Sequence, residues 1–243
     1  MALNHTGQTD QVLTTGRIAY GKDASGNFQP VSVSATGMVQ VSGGSVTKTI
    51  ETELMAATLI AASTVVASTV LSLTAGIKKV TIFIDHGRAA TAAFGTNGPN
   101  YLIQASQKAT GNDTWRSLVS FAADSVAASS ALSSGAVGAG TTVITILSGT
   151  AFAAGDLVMW ANTSSAASIE WARVVSVSGT ASFTILDGVT NAQGSTQVIY
   201  NKAEHFVISV DAEPITRLRV ALNNNASGTT NAIYSRIAAI TES

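Results

Sequence analysis

The chain has 243 residues, no cysteine, and thirteen Lys+Arg against fourteen Asp+Glu. Disulfide frameworks and Cys-ligated zinc sites are therefore excluded, and the length allows a sizeable core without covalent staples. Charged residues make up only 11% of the chain, where roughly 25% is usual. The near-zero net charge argues against nucleic-acid binding, which needs a basic stripe, and removes the self-repulsion that keeps copies apart.

No secretory leader is visible in Met1-Ala2-Leu3-Asn4-His5. Residues 1–45 are polar and glycine-rich, with turns expected at 23–26 and 35–37 between short alternating runs. This predicts an extended N-terminal arm carrying a small β-meander. Ordering a residue costs about 1–2 kcal/mol, and the few large apolar side chains of the arm contribute roughly 1.5–3 kcal/mol each when buried. The arm is expected to order only against the rest of the protein or a neighbouring subunit.

Residues 54–77 carry no charge, so hydropathy alone would suggest a membrane helix. The interleaving of Ser63, Thr64, Ser68, Thr69, Ser72 and Thr74 with Val65, Val66 and Val70 favours strands. No membrane partner is expected. Val80, Ile82 and Ile84 then alternate with Thr81, Phe83 and Asp85. Tyr101, Ile103 and Ala105 do so with Leu102, Gln104 and Ser106, and Trp115, Ser117, Val119 and Phe121 with Arg116, Leu118 and Ser120. Period two with one apolar face describes half-buried strands.

Residues 122–140 are low in complexity and read as a linker or a short helix. Five short strands follow at 143–147, 157–161, 170–177, 183–186 and 197–200, punctuated by Gly149, Gly155, Gly179, Gly188 and Gly194. They predict a small barrel that closes on itself. Longer strands return with Phe206, Ile208 and Val210, then Leu218, Val220 and Leu222, then 233–240. Three strands are too few for a core, so they are expected to complete the earlier sheet pair. The fold class is all-β: a jelly-roll-like β-sandwich over 46–135 and 203–243, an inserted small β-barrel over 136–202, and the arm over 1–45.

Chemistry is thinly represented. His5, His86 and His205 are the histidines; Asp85-His86 and Glu204-His205 each set an acid beside an imidazole. A metal site needs three or four converging ligands, so both pairs are read as strand ends near solvent. No Gly-x-Ser-x-Gly elbow is present. Asp113, Asp124, Asp156 and Asp187 fall at turns, where Asp has a conformational role. The run Gly135-Ala136-Val137-Gly138-Ala139-Gly140 lacks a phosphate-loop Lys and reads as a flexible joint. Lys78, Lys79, Arg217 and Arg219 are too sparse for nucleic-acid recognition, and the two arginines are expected to pair with acids across a sheet or an interface. No catalytic residue, cofactor or metal is assigned, and the chain is not read as an enzyme. Trp160 and Trp171, with Trp115 and Tyr101, could stack on sugars if exposed, but packing is the plainer reading.

The pattern Gly21-x-Asp23-x-x-Gly26-x-x-x-Pro30-Val31-x-Val33, closed by Gly37-x-Val39-x-Val41, resembles a turn-and-strand motif near the start of tailed-bacteriophage virion proteins. The block from Gly140 through Gly149-Thr150-Ala151-Phe152-Ala153-Ala154-Gly155-Asp156-Leu157-Val158 to Trp171-Ala172-Arg173-Val174-Val175-Ser176-Val177-Ser178-Gly179 is similar to small β-barrel insertions in phage tail, fibre and capsid-associated proteins. The resemblance implies a virion component: a capsid decoration, neck or tail-base protein acting by assembly. Its partners would be copies of itself, a trimer being one form, and other virion proteins such as major capsid or tail proteins. The alternative is a host-receptor or polysaccharide-binding module of the virion, and the long repeats of a fibre shaft are missing.

Overall fold

The computed structural model describes 51–94, 98–111, 114–147, 152–161, 169–195, 197–224 and 231–243, together with Thr49 and short strands between 20 and 40. The chain divides into two units, Met1–Val46 and Thr47–Ser243. In the first, β1 (Tyr20–Lys22) pairs antiparallel with β2 (Phe28–Pro30), and β3 (Ser32–Val33) with β4 (Val39–Gln40). The expected turns at 23–26 and 35–37 lie outside the described residues, as does His5.

The second unit is all-β, with no helix among the described residues. The uncharged 54–77 stretch forms β5 (Thr52–Ile60), β6 (Thr64–Ala67) and β7 (Leu71–Ser72). Ser63, at φ 56, makes the tight turn between β5 and β6. Then come β8 (Lys79–Arg88), β9 (Asn100–Ser106) and β10 (Arg116–Ala122). The next six strands are β11 (Ser130–Leu132), β12 (Val143–Thr145), β13 (Leu157–Ala161), β14 (Glu170–Ser178), β15 (Ser182–Ile185) and β16 (Val198–Tyr200). The chain finishes with β17 (Glu204–Asp211), β18 (Arg217–Asn224) and β19 (Ile233–Glu242).

Two sheets share the main core. One has the order β17-β8-β19-β5; the other runs β10-β9-β18-β6, with β7 pairing β18 beyond β6. Period two decides which side chains point inward: Val80, Ile82 and Ile84 from β8, Tyr101 and Ile103 from β9, Leu218, Val220 and Leu222 from β18, and Ile233 and Ile237 from β19 all join one cluster. Tyr101 stacks on Phe121 with ring centroids 5.4 Å apart, and Phe121 meets Phe206 at 4.7 Å. Such aromatic pairs add to the burial term, and this trio joins β9 and β10 to β17 of the opposite sheet.

The remaining strands form a third sheet, β11-β16-β13-β14-β15-β12, around its own core of Trp160, Phe183, Phe152, Ile144 and Ile199. Its outer strands meet just past their ends: Ser133 bridges Ile146, Leu147 N donates to Leu132 O at 2.9 Å, and Ser134 N to Thr145 O at 3.0 Å. The five strands expected between 143 and 200 are all present. The sixth, β11, comes from the 122–140 stretch read as linker or helix, so this sheet begins ahead of residue 136. The glycine-rich run is tied down rather than loose: Val137 bridges Gln193, and Gly140 N donates to Val189 O at 2.8 Å. A Cβ at Gly188 would stand 2.5 Å from Gly140 O, so this contact requires glycine.

Where the chain leaves the two-sheet body it is stitched to where it returns. Ser129 N donates to Asn201 Oδ1 at 2.6 Å, Asn201 N to Ser129 O at 3.0 Å, and Asp124 N to Glu204 Oε2 at 2.8 Å. Buried Arg88 anchors the exit loop by donating to Ala92 O, to Asp124 O at 3.3 Å and to Val126 O at 3.1 Å, with its guanidinium 3.6 Å from the Phe94 ring centre.

Candidate interaction surfaces

Adjacent residues of a strand face opposite sides of the sheet, so Asp85 and His86 cannot serve one site. His86 points into the core, fully buried, with Nδ1 2.9 Å from the Tyr101 hydroxyl, which donates to Ser235 Oγ at 3.2 Å. Burial, then the Arg88 charge, push the His86 pKa down to about 3, so the ring is neutral near pH 7. Its Nε2 has no hydrogen-bond partner among the described residues. Burial also raises the Tyr101 pKa.

Asp85 faces the other way and joins two strands. The β17–β8 register sets His205 opposite it, and the β8–β19 register sets Arg236 there. His205 Nδ1 lies 2.6 Å from Asp85 Oδ1, and Arg236 Nε donates to Asp85 Oδ2 at 2.6 Å. Burial alone would raise the Asp85 pKa, but the hydrogen bond from His205 and the Arg236 charge hold it below the usual carboxylate value. The expected neighbours Glu204 and His205 are likewise split: Glu204 accepts from Asp124 N while His205 meets Asp85. Among the described residues no three His, Asp or Glu side chains gather where a metal could sit.

The third sheet rests on this face. Trp171 Nε1 donates to His86 O at 3.0 Å, and Leu157, Met159, Ile169, Ala203 and Tyr234 form a small apolar cluster with Trp171 and Tyr200 packed against it. Gly87 permits the contact, since a Cβ there would lie 2.1 Å from Met159 Sδ. Trp160 is fully buried against Phe183 at 6.3 Å, and Trp171 is half-buried. Among the described residues, neither Arg217 nor Arg219 finds an acid across its sheet. Arg217 donates to Lys108 O at 2.6 Å and to Gly111 O at 2.8 Å; Arg219 donates to Gln104 Oε1 at 2.9 Å. Both guanidinium groups lie against Trp115, at 4.9 and 4.2 Å from its ring centre. Asp124 and Asp156 sit at turns as expected: Asp124 Oδ1 accepts from Val126 N at 2.8 Å, and Asp156 Oδ2 from Ala153 N at 2.8 Å.

Two kinds of surface stand out. Of the strands at the sheet ends, β5 and the β6–β7 stretch are linked by Thr69 N donating to Leu54 O at 2.9 Å, whereas β10 and β17 each have a single strand partner among the described residues, and Leu118 on β10 and Val207 on β17 are 47% and 63% exposed. Separately, Val143, Leu147, Val175 and Leu186 of the third sheet are each at least 50% exposed. The role of Arg88 was not legible from sequence, because the carbonyls it binds come from loops without a motif. No family model, no curated protein and no solved structure matches this chain.

Proposed function

We propose that the chain is a non-enzymatic structural component of a tailed-phage virion, acting by subunit assembly on the capsid, neck or tail. The observation that carries this reading is the strand order of the two-sheet body. Numbering its strands from one to eight, with β6 and β7 as one interrupted strand, the sheets read 1-8-3-6 and 2-7-4-5. We read this as a jelly roll, an architecture shared by viral capsid and lectin domains. The third sheet, whose outer strands bond to each other, is read as a small barrel inserted between β10 and β17.

Fold alone does not carry function. The open edges of β10 and β17, the exposed apolar side chains and the low charge support assembly over catalysis, since edges accept a neighbour's strand. The partners are copies of this chain and other virion proteins. A polysaccharide-binding module would present an aromatic cluster on the small barrel, and buried Trp160 cannot serve there. Labelled antibody against the chain, imaged on purified phage particles, tests the proposal. Decoration at a regular position with fixed copy number is expected, and particles free of the chain would overturn it. Mass measurement in solution should give a closed homo-oligomer.

A further inference from the structure

We propose that the cleft beside the start of β10 is a docking site for an extended, carboxylate-rich segment of another protein chain. Lys108, Trp115, Arg116, Leu118, Pro214 and Ile215 line it. Arg217 and Arg219 stand against its Trp115 wall. Lys108 and Arg116 thus stand in the lining itself, Arg217 and Arg219 lie behind its Trp115 wall, and no carboxylate pairs with any of the four among the described residues. Arg219 is also next to the like charge of Arg217, and its pKa is lowered by burial and then by that neighbour. An uncompensated cluster of this kind attracts an anion.

The cleft favours an acidic peptide over other anions for three reasons. Its cations form one short cluster rather than the track a phosphodiester strand follows. Trp115 is faced by two guanidinium groups, which compete with a sugar for its ring. Leu118, Pro214 and Ile215 offer apolar surface to side chains between the acids, and β10 has β9 as its one strand partner among the described residues. An extended peptide laid along that edge gains backbone hydrogen bonds as well as charge pairing.

The cleft supplies a partner chemistry for the assembly reading above and rests on that reading for its role, yet the two fail separately. Particles lacking the chain would end the assembly reading and leave peptide binding intact; a cleft that ignores acidic peptides would do the reverse. The test uses the full chain and fluorescence anisotropy at low ionic strength. The probes are a labelled peptide of eight glutamates around a central leucine, the same peptide with glutamines, and a single-stranded oligonucleotide of equal charge. The glutamate peptide should bind at least about tenfold tighter than the other two. R116Q and R219Q should each weaken it by about 3- to 10-fold with unchanged thermal midpoints. R173Q, on the third sheet, should change nothing. Asp113 is the one acid between 107 and 115 and lies outside the described residues; D113N should leave binding unchanged or tighten it. Equal binding of the glutamine peptide, indifference to R116Q and R219Q, weakening by D113N, or tighter binding of the oligonucleotide would each overturn the proposal.

Discussion

The two-sheet body and the six-stranded sheet manage their strand edges in opposite ways. The body leaves β10 and β17 with one neighbour each among the described residues, whereas the six-stranded sheet bonds its outer strands through Ser133, Ser134, Ile146 and Leu147. A bonded edge cannot take on another strand. What that sheet offers instead is a set of exposed side chains, including Leu147, Val175 and Leu186. A neighbour would meet the body through backbone and the six-stranded sheet through apolar side chains. The two chemistries respond differently to substitution.

The largest expected effect separates the two cores. W160A should cost roughly 3–5 kcal/mol, because Trp160 is fully buried in the core of the six-stranded sheet. Calorimetry should then show that sheet melting ahead of the body. A single transition shifted as a whole would show instead that the Met159, Trp171 and Tyr234 contact couples them.

Acid should strike the body next. Folded His86 stays neutral down to about pH 3, while the unfolded chain takes up a proton near its ordinary value of 6.5. Protons therefore favour the unfolded state between those values, and stability falls as pH drops through that window, by on the order of several kcal/mol in all. Asp85, with its lowered pKa, adds a loss in the same direction only below 3.8. Glu204, raised above 4.5 chiefly by burial, opposes the loss near that value. Thermal midpoints against pH should show a flatter acid limb for H86Q; a parallel limb would assign the loss to other groups.

The contact between the regions comes third. G87A should cost about 1–3 kcal/mol by overpacking, and M159A should relieve part of that cost in the double variant. Additive losses in denaturant titrations would mean that Met159 does not sense the Cβ. D85N should cost about 1–2 kcal/mol, since His205 and Arg236 both lose a charged acceptor; a midpoint equal to wild type would mark the triad as idle. V207K should leave stability within about 0.5 kcal/mol. A lysine on the β17 edge should lower the mass of any assembly built through that edge, and an unchanged mass would exclude it.

Much of the strand pattern was legible because it is local. Val80, Ile82 and Ile84 alternate with polar or half-buried neighbours, and the burial follows that alternation. β11 was missed because Ser130–Leu132 has no alternation of its own; pairing with Val198–Tyr200 makes it a strand. The pairings of Asp85 and Glu204 were also out of reach, since adjacency along the chain says the opposite of what the two faces of a strand allow. Trp160 and Trp171 look alike in sequence, and only packing against Phe183 or over His86 O tells them apart.

The amino-acid sequence by itself determined that this chain is built of strands, where many of them run, and which side chains of the longest ones turn inward. Pleating imposes period two on any strand, whatever its neighbours. Only the tertiary structure decided which strands stand side by side, that the outer strands at Ser133 and Ile146 meet, and that Arg217 and Arg219 both lie against Trp115. Those outcomes depend on contacts between residues far apart in the chain, which are selected by packing of whole sheets rather than by any local pattern.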